Sequence, residues 1–359
     1  MLCLENSWFH EILYLPLQYM LAKEISFIIP VFNRPDEVKE LLDSFINLEG
    51  EKDFEIVIIE DGSTLTSKDI IDGFSNNLNI SYYFKENSGP GDSRNYGMKL
   101  AKGTYFIILD SDCILPKNYL NEVLKSLNKN YVDCFGGPDA AHNSFTNLQK
   151  AINFSMTSFI TTGGIRGNRA SVNKFQPRSF NMGISKVAFE ATGGFGRIHP
   201  GEDPDLSIRL CKLNFNTKLI PEAFVYHKRR ISWAKFYSQV YKFGLTRSIL
   251  NTWHPETKKL TYWFPTIFSI GLLASFVLFF LGIELPLKSF GIYLVLSFVV
   301  ALINTKNIIV PFLAIIAIII QFFGYGYGFL KSTLILKLSN KSAEQLFPNL
   351  FFRVNQNEI

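Results

Sequence analysis

Between Ile25 and about Lys218 the chain alternates short apolar runs with stretches of helical period. Residues 26–31, 54–59, 80–84 and 105–109 are almost continuously apolar and rich in β-branched and aromatic side chains. Such runs mark strands buried on both faces of a parallel sheet. Residues 35–48, 67–76, 91–101 and 116–128 carry helical patterns between and after them. This β-α succession with short loops predicts an α/β fold, an open and mostly parallel doubly wound sheet. Ligands of such sheets bind beyond the carboxyl ends of the strands, so the residues standing there carry the functional information.

The pattern changes after residue 260. Three apolar stretches, about 264–283, 286–303 and 308–330, are each near the ~20 residues a bilayer span requires. From 260 to 330 the only charges are Glu284, Lys288 and Lys306. Trp253, Tyr262, Trp263, Tyr325 and Tyr327 stand near the ends, as interfacial aromatics do. We expect three spans following a catalytic unit at 20–250 and a juxtamembrane linker at 251–263, with a tail at 331–359. Lys242, Arg247, Lys258 and Lys259 place the α/β unit in the cytoplasm, at the inner membrane. Lys331, Lys337 and Lys341 also indicate the cytoplasm, which an odd number of spans does not allow. One stretch is then a candidate re-entrant or interfacial segment. Residues 1–19 have no regular continuation; we expect either a start at Met20 or an interfacial helix.

Composition narrows the classes further. The chain has 359 residues and a net charge of +5. That is too weak a basic face for nucleic acid but suits an anionic membrane surface. Four scattered cysteines, with no Cys-x-x-Cys spacing, exclude a disulfide framework and favour a reducing compartment. No secretory signal pattern opens the chain.

The candidate chemistry stands at strand ends. Asp110-Ser111-Asp112 follows the fourth strand, where two carboxylates suit a hard divalent cation shared with phosphate oxygens. Glu60-Asp61-Gly62-Ser63 follows the second, and Asp61 could accept from a base or ribose. Asn87 to Asn95 leads through two glycines into a helix, with Arg94 in its first turn able to meet a diphosphate. Gly201-Glu202-Asp203-Pro204-Asp205 precedes a helical run at 206–213. Acids there are favourable through the helix dipole alone, but one of them could act as a general base. Residues 179–185 read as a strand after a glycine-rich basic loop at 163–178, a candidate lid or acceptor contact. His227 is a candidate third metal ligand beside the Asp-x-Asp pair.

In ordered succession these stretches resemble the family 2 nucleotide-sugar glycosyltransferases, which have the GT-A fold. The matching motifs are Ile-Ile-Pro-Val-Phe-Asn-Arg (28–34), Glu-Asp-Gly-Ser (60–63), Ser-Gly-Pro-Gly-Asp-Ser-Arg-Asn-Tyr-Gly (88–97), Leu-Asp-Ser-Asp (109–112) and Gly-Glu-Asp-Pro-Asp-Leu (201–206). The resemblance implies that Pro30, Phe32, Asn33 and Asp61 line the nucleotide pocket, with Arg94, Asp110 and Ser111 towards the ribose and diphosphate. Asp110 and Asp112 would hold Mg²⁺ or Mn²⁺, assisted by His227. Asp203, with Glu202 beside it, would deprotonate an acceptor hydroxyl, and the anomeric centre would be inverted.

The implied partners are a nucleotide-sugar donor, a lipid-linked or other glycan acceptor, the membrane and other glycan-assembly enzymes. Processive polysaccharide synthases carry Gln-x-x-Arg-Trp where this chain has Gln239, Lys242 and Phe243, which favours transfer of a single sugar. Residues 236–247 resemble membrane-attached members that build surface glycans. A polyprenyl-phosphate sugar synthase and a non-catalytic sugar-nucleotide binder are the competing readings.

Overall fold

The computed structural model describes residues 19–140, 145–163, 176–228 and 232–352. The leader expected at 1–19, apart from Tyr19, and most of the expected lid at 163–178 lie outside them. In chain order the elements are β1 (Ile25–Val31), α1 (Pro35–Ile46), β2 (Glu55–Asp61), α2 (Lys68–Asp72), β3 (Ile80–Lys85), α3 (Pro90–Leu100), β4 (Tyr105–Leu109), β5 (Cys113–Ile114), α4 (Tyr119–Lys129), β6 (Cys134–Gly136) and β7 (Asp139–Ala140). There follow α5 (Asn147–Thr157), α6 (Phe159–Thr162), β8 (Asn181–Ser185), α7 (Lys186–Thr192), α8 (Glu202–Lys212), β9 (Thr217–Leu219) and β10 (Val225–His227). The chain continues with α9 (Trp233–Trp253), α10 (Phe264–Phe280), α11 (Leu285–Thr305), α12 (Ile309–Leu338) and α13 (Ala343–Leu346).

The main sheet runs β3-β2-β1-β4-β8-β6-β9, and a small one runs β5-β10-β7. β1, β2, β3 and β4 are parallel, in register from Ser26 opposite Glu55 and from Ile25 opposite Tyr105. β8 runs antiparallel to both β4 and β6. β1, β2 and β4 are buried almost throughout, as continuous apolar runs require. α1 starts at Pro35, whose missing N–H costs nothing at that position, and turns Val38, Leu41, Leu42 and Phe45 into the core. There Phe27 meets Phe45 and Phe54 edge to face, at centroid distances of 4.8 and 5.1 Å. α2 is much shorter than its pattern predicts because Gly73 ends it after one turn.

From β1 the chain winds to β2 and β3 on one side, then crosses back to β4 on the other. The carboxyl ends of β1 and β4 therefore flank the switch point, the place where open sheets of this kind bind ligands.

Among the described residues, three helices are long and apolar enough to cross a membrane: Leu260–Phe280, Leu285–Thr305 and Ile309–Leu338. The third extends past its expected end, so Lys331 and Lys337 lie on it. α9 and α12 pack side by side in parallel register, through glycines. A Cβ at Gly328 would lie 2.3 Å from the Tyr241 carbonyl oxygen, and one at Gly324 would lie 2.6 Å from Val240. Gly326, between them, faces Pro265 at the start of α10. Small residues in this pattern let backbones touch. Gly328→Leu is expected to lower stability by about 1–3 kcal/mol through overpacking. Gly291→Ala, where nothing lies within 4 Å, should leave the detergent-solubilised melting temperature unchanged.

Beyond α12 the chain returns to the α/β unit. Phe351 bridges to Ile198, and the His199 amide donates to Leu350 O at 2.7 Å. Arg197 pairs with Glu344 at 2.6 Å.

Candidate active site

β4 delivers Asp110 and Asp112 at its carboxyl end, and β10 brings His227 against them. His227 Nε2 lies 3.1 Å from Asp112 Oδ1 and 4.0 Å from Asp110 Oδ2. The imidazole stacks on Phe180 at 4.8 Å, which fixes its plane. The thiol of Cys113 belongs to the same cluster, with ligand atoms of Asp112, Cys113 and His227 within 4.8 Å of one another. It is buried and donates to Phe180 O at 3.4 Å. Of the three expected ligands, Asp112 and His227 meet directly, while Asp110 stands at the edge of the cluster with one oxygen on Arg94; two carboxylates and one imidazole nitrogen would suit Mn²⁺ or Mg²⁺. Ser111, between the acids, is buried.

Arg94 stands beside the Asp-x-Asp turn. Its side chain is 4% exposed and lies between two carboxylates. Nη2 donates to Asp110 at 2.7 Å and Nη1 to Glu202 at 3.1 Å. Phe195 packs against the guanidinium at 5.3 Å. Burial opposes the charge, but Asp110 and Glu202 outweigh it and raise the pKa further. With both ends engaged, Arg94 joins the Asp-x-Asp turn to the start of α8; it does not offer a free fork to a diphosphate.

Glu202, expected beside Asp203, is buried and paired. Burial would raise its pKa, but the His199 ring at 3.0 Å and Arg94 prevail and hold it well below the usual carboxylate range. An ion so strongly stabilised is a poor proton acceptor. Asp203, one residue on, is more open, at 17% side-chain exposure, with Arg178 Nη1 at 3.6 Å. The acids lie inside the first turn of α8, one turn earlier than the helix predicted from the sequence.

Asp61 is 3% exposed, and its carboxylate is taken up by the loop that follows β3. Oδ1 accepts from Lys85 Nζ at 2.7 Å and the Ser88 amide at 3.0 Å, and Oδ2 from the Gly89 amide at 2.9 Å. Asp61, expected to line the nucleotide pocket, also shapes the loop leading into α3. Asn33, at φ 55°, accepts from the Thr64 and Leu65 amides at 2.9 Å and pins the loop after β2. Pro30 lies at the end of β1, and Phe32 stands beside it 50% exposed.

Sequence reasoning missed three partners: Lys85, His199 and His254. The last ties α9 to α8, its Nε2 lying 2.8 Å from Asp205 Oδ1. None of these lies in a motif, and only the fold brings them to the acids they contact.

Residues 26–192 match the model of glycosyl transferase family 2. That segment is a glycosyl transferase family 2 domain. The chain is 34% identical over 113 residues to an uncharacterized glycosyltransferase of Rickettsia bellii, covering 32% of this chain and 16% of that protein. It is 39% identical over 93 residues to a poly(ribitol-phosphate) beta-glucosyltransferase of Bacillus spizizenii, covering 25% and 15%. The chain therefore spans under a fifth of these two curated relatives. The mannosyltransferase PcManGT of Pyrobaculum calidifontis, solved with GDP-Man and Mn²⁺, matches 88% of each chain with a TM-score of 0.56 at 14% identity. The family 2 domain and the sheet around it have the GT-A fold.

Proposed function

We propose that the protein is an inverting glycosyltransferase that moves one sugar from a nucleoside diphosphate donor to a lipid-linked glycan at the cytoplasmic face of a membrane. One observation supports this reading above the others: the Arg94 guanidinium joins Asp110 to Glu202. It holds the cation-binding turn beside the helix start that carries Asp203.

In this reading Asp110, Asp112 and His227 hold Mn²⁺ or Mg²⁺, which when bound supplies positive charge against the leaving diphosphate. Phe32 and Pro30 offer an apolar wall to the base, and the loop ordered by Asp61 and Asn33 sets its edge. Asp203 takes the proton of the acceptor hydroxyl as that oxygen attacks the anomeric carbon from the face opposite the diphosphate. Arg94 and His199 keep Glu202 ionised and paired, leaving Asp203 as the basic group in that turn.

The test is a thermal-shift screen of the solubilised protein against UDP-, GDP- and dTDP-sugars, with and without Mn²⁺. A donor at ~100 times its dissociation constant stabilises by about 2.7 kcal/mol. We expect a shift with one nucleotide class, only with metal, and its loss in Asp112→Asn. No shift with any donor would favour a domain that has kept the fold without the activity.

A further inference from the structure

Of the three long apolar helices, α12 differs from the other two in how it is covered. In the most apolar window of each, 44% of α12 is buried, against 28% for α10 and 11% for α11. One side of α12 lies on α5 and α9 of the catalytic unit, and the other on α10 and α11. Its contacts with the α10–α11 hairpin run from the open end to the middle of α11, where Tyr293 meets Phe322 at 6.5 Å. Trp263 meets Phe329 at 5.0 Å, Phe268 meets Phe322 at 4.5 Å, and Phe298 meets Phe312 at 4.9 Å. In each pairing α12 runs opposite to its neighbour, and α10 and α11 themselves form a hairpin. Three mutually antiparallel contacts cannot be made by three collinear helices, so α12 lies across the other two.

The outward face of the hairpin towards its tip is exposed. Leu273, Val277, Phe280, Ile292 and Val295 are all more than half exposed. At its tip the chain turns at Gly282 and carries an ion pair, Glu284 to Lys288 at 2.5 Å. Each arm has 21 residues, hence about 31 Å of helix, enough to carry that charged tip across the hydrocarbon. At the other end Lys258 and Lys259 precede the hairpin and Lys306 follows it, and Lys331, Lys337 and Lys341 follow along α12 and beyond. The chain after α12 also docks on the catalytic unit through Ile198 and Arg197. Both flanks of the apolar region are therefore on one face, and the number of crossings is even.

We propose that the bilayer is crossed twice, by α10 and α11 alone, and that α12 belongs to the catalytic unit and lies at the membrane surface across the base of the hairpin. This rests on the membrane reading above. It also removes the conflict between three apolar stretches and basic residues on both sides of them.

Single cysteines at Lys125, Ile283 and Asn340 would test it, in full-length protein with Cys3 and Cys211 replaced by Ser. Sealed vesicles of both orientations are treated with a membrane-impermeant maleimide, and labelling in detergent serves as the fold and reactivity control. We expect positions 125 and 340 to label from one face and 283 from the other. Labelling of 340 together with 283, opposite to 125, would mean an odd number of crossings and overturn the proposal. Labelling of 283 from the same face as 125 would mean no crossing and would equally overturn it. Release of the wild-type protein by alkaline carbonate would instead overturn the membrane reading itself.

Discussion

Asp203→Asn leaves metal-dependent donor binding intact and lowers sugar transfer to a hydroxyl acceptor by about 10²–10⁴-fold, the usual contribution of a positioned general base. The amide keeps the size of the side chain at the start of α8 and removes its basicity. Glu202 cannot substitute, because Arg94 and His199 hold it as a stable anion. Two readouts check this: donor titration by thermal shift, and turnover with a glycan acceptor. Parallel loss of donor binding would mean that Asp203 shapes the donor pocket. A loss of turnover below tenfold would point to an acceptor that is already ionised, such as a lipid phosphate, and away from a hydroxyl.

Arg94→Met has the largest expected effect on stability. The substitution fills most of the volume beside Phe195 but leaves Glu202, at 5% side-chain exposure, with only His199 as a charged partner. Removing one member of a buried ion pair costs about 3–5 kcal/mol. Asp110 is 31% exposed and retains water, so the lower end applies. For a domain of this size that is a fall in melting temperature of roughly 6–12 °C. Metal-dependent donor affinity should fall as well, since Asp110 loses the contact that sets its rotamer. Arg94→Lys should lie between, because one ammonium cannot span both carboxylates. An unchanged melting temperature in Arg94→Met would show that the bridge contributes nothing to the fold.

The strands that position the site were legible because burial on both faces leaves a continuous apolar signature, and all four parallel strands fall within two residues of their expected bounds. The motif acids were legible because they stand directly after those strands. Their partners were not. Arg94 reads as a phosphate ligand from its place in a helix's first turn, and only the approach of α8, 108 residues later, turns it inward. Asp61 reads as a nucleotide-pocket residue, and its partners appear only when Lys85 at the end of β3 and the amides of Ser88 and Gly89 after it come to donate to its carboxylate. The role of α12 was hidden for a related reason. Composition measures how apolar a helix is, and not whether lipid or protein meets it; the Gly324, Gly326 and Gly328 spacing was the available signal that protein does.

The contact between His254 and Asp205 joins the end of α9 to the same short helix that bears Asp203. α9 in turn is seated on α12 through backbone-close packing. On the reading proposed above, the proton-accepting carboxylate then stands at a set height over the lipid headgroups, with no flexible linker between them. The protein would act as a ruler: a lipid-borne glycan reacts only when its growing end reaches that height, so acceptor length, as well as acceptor chemistry, would decide which intermediate is extended.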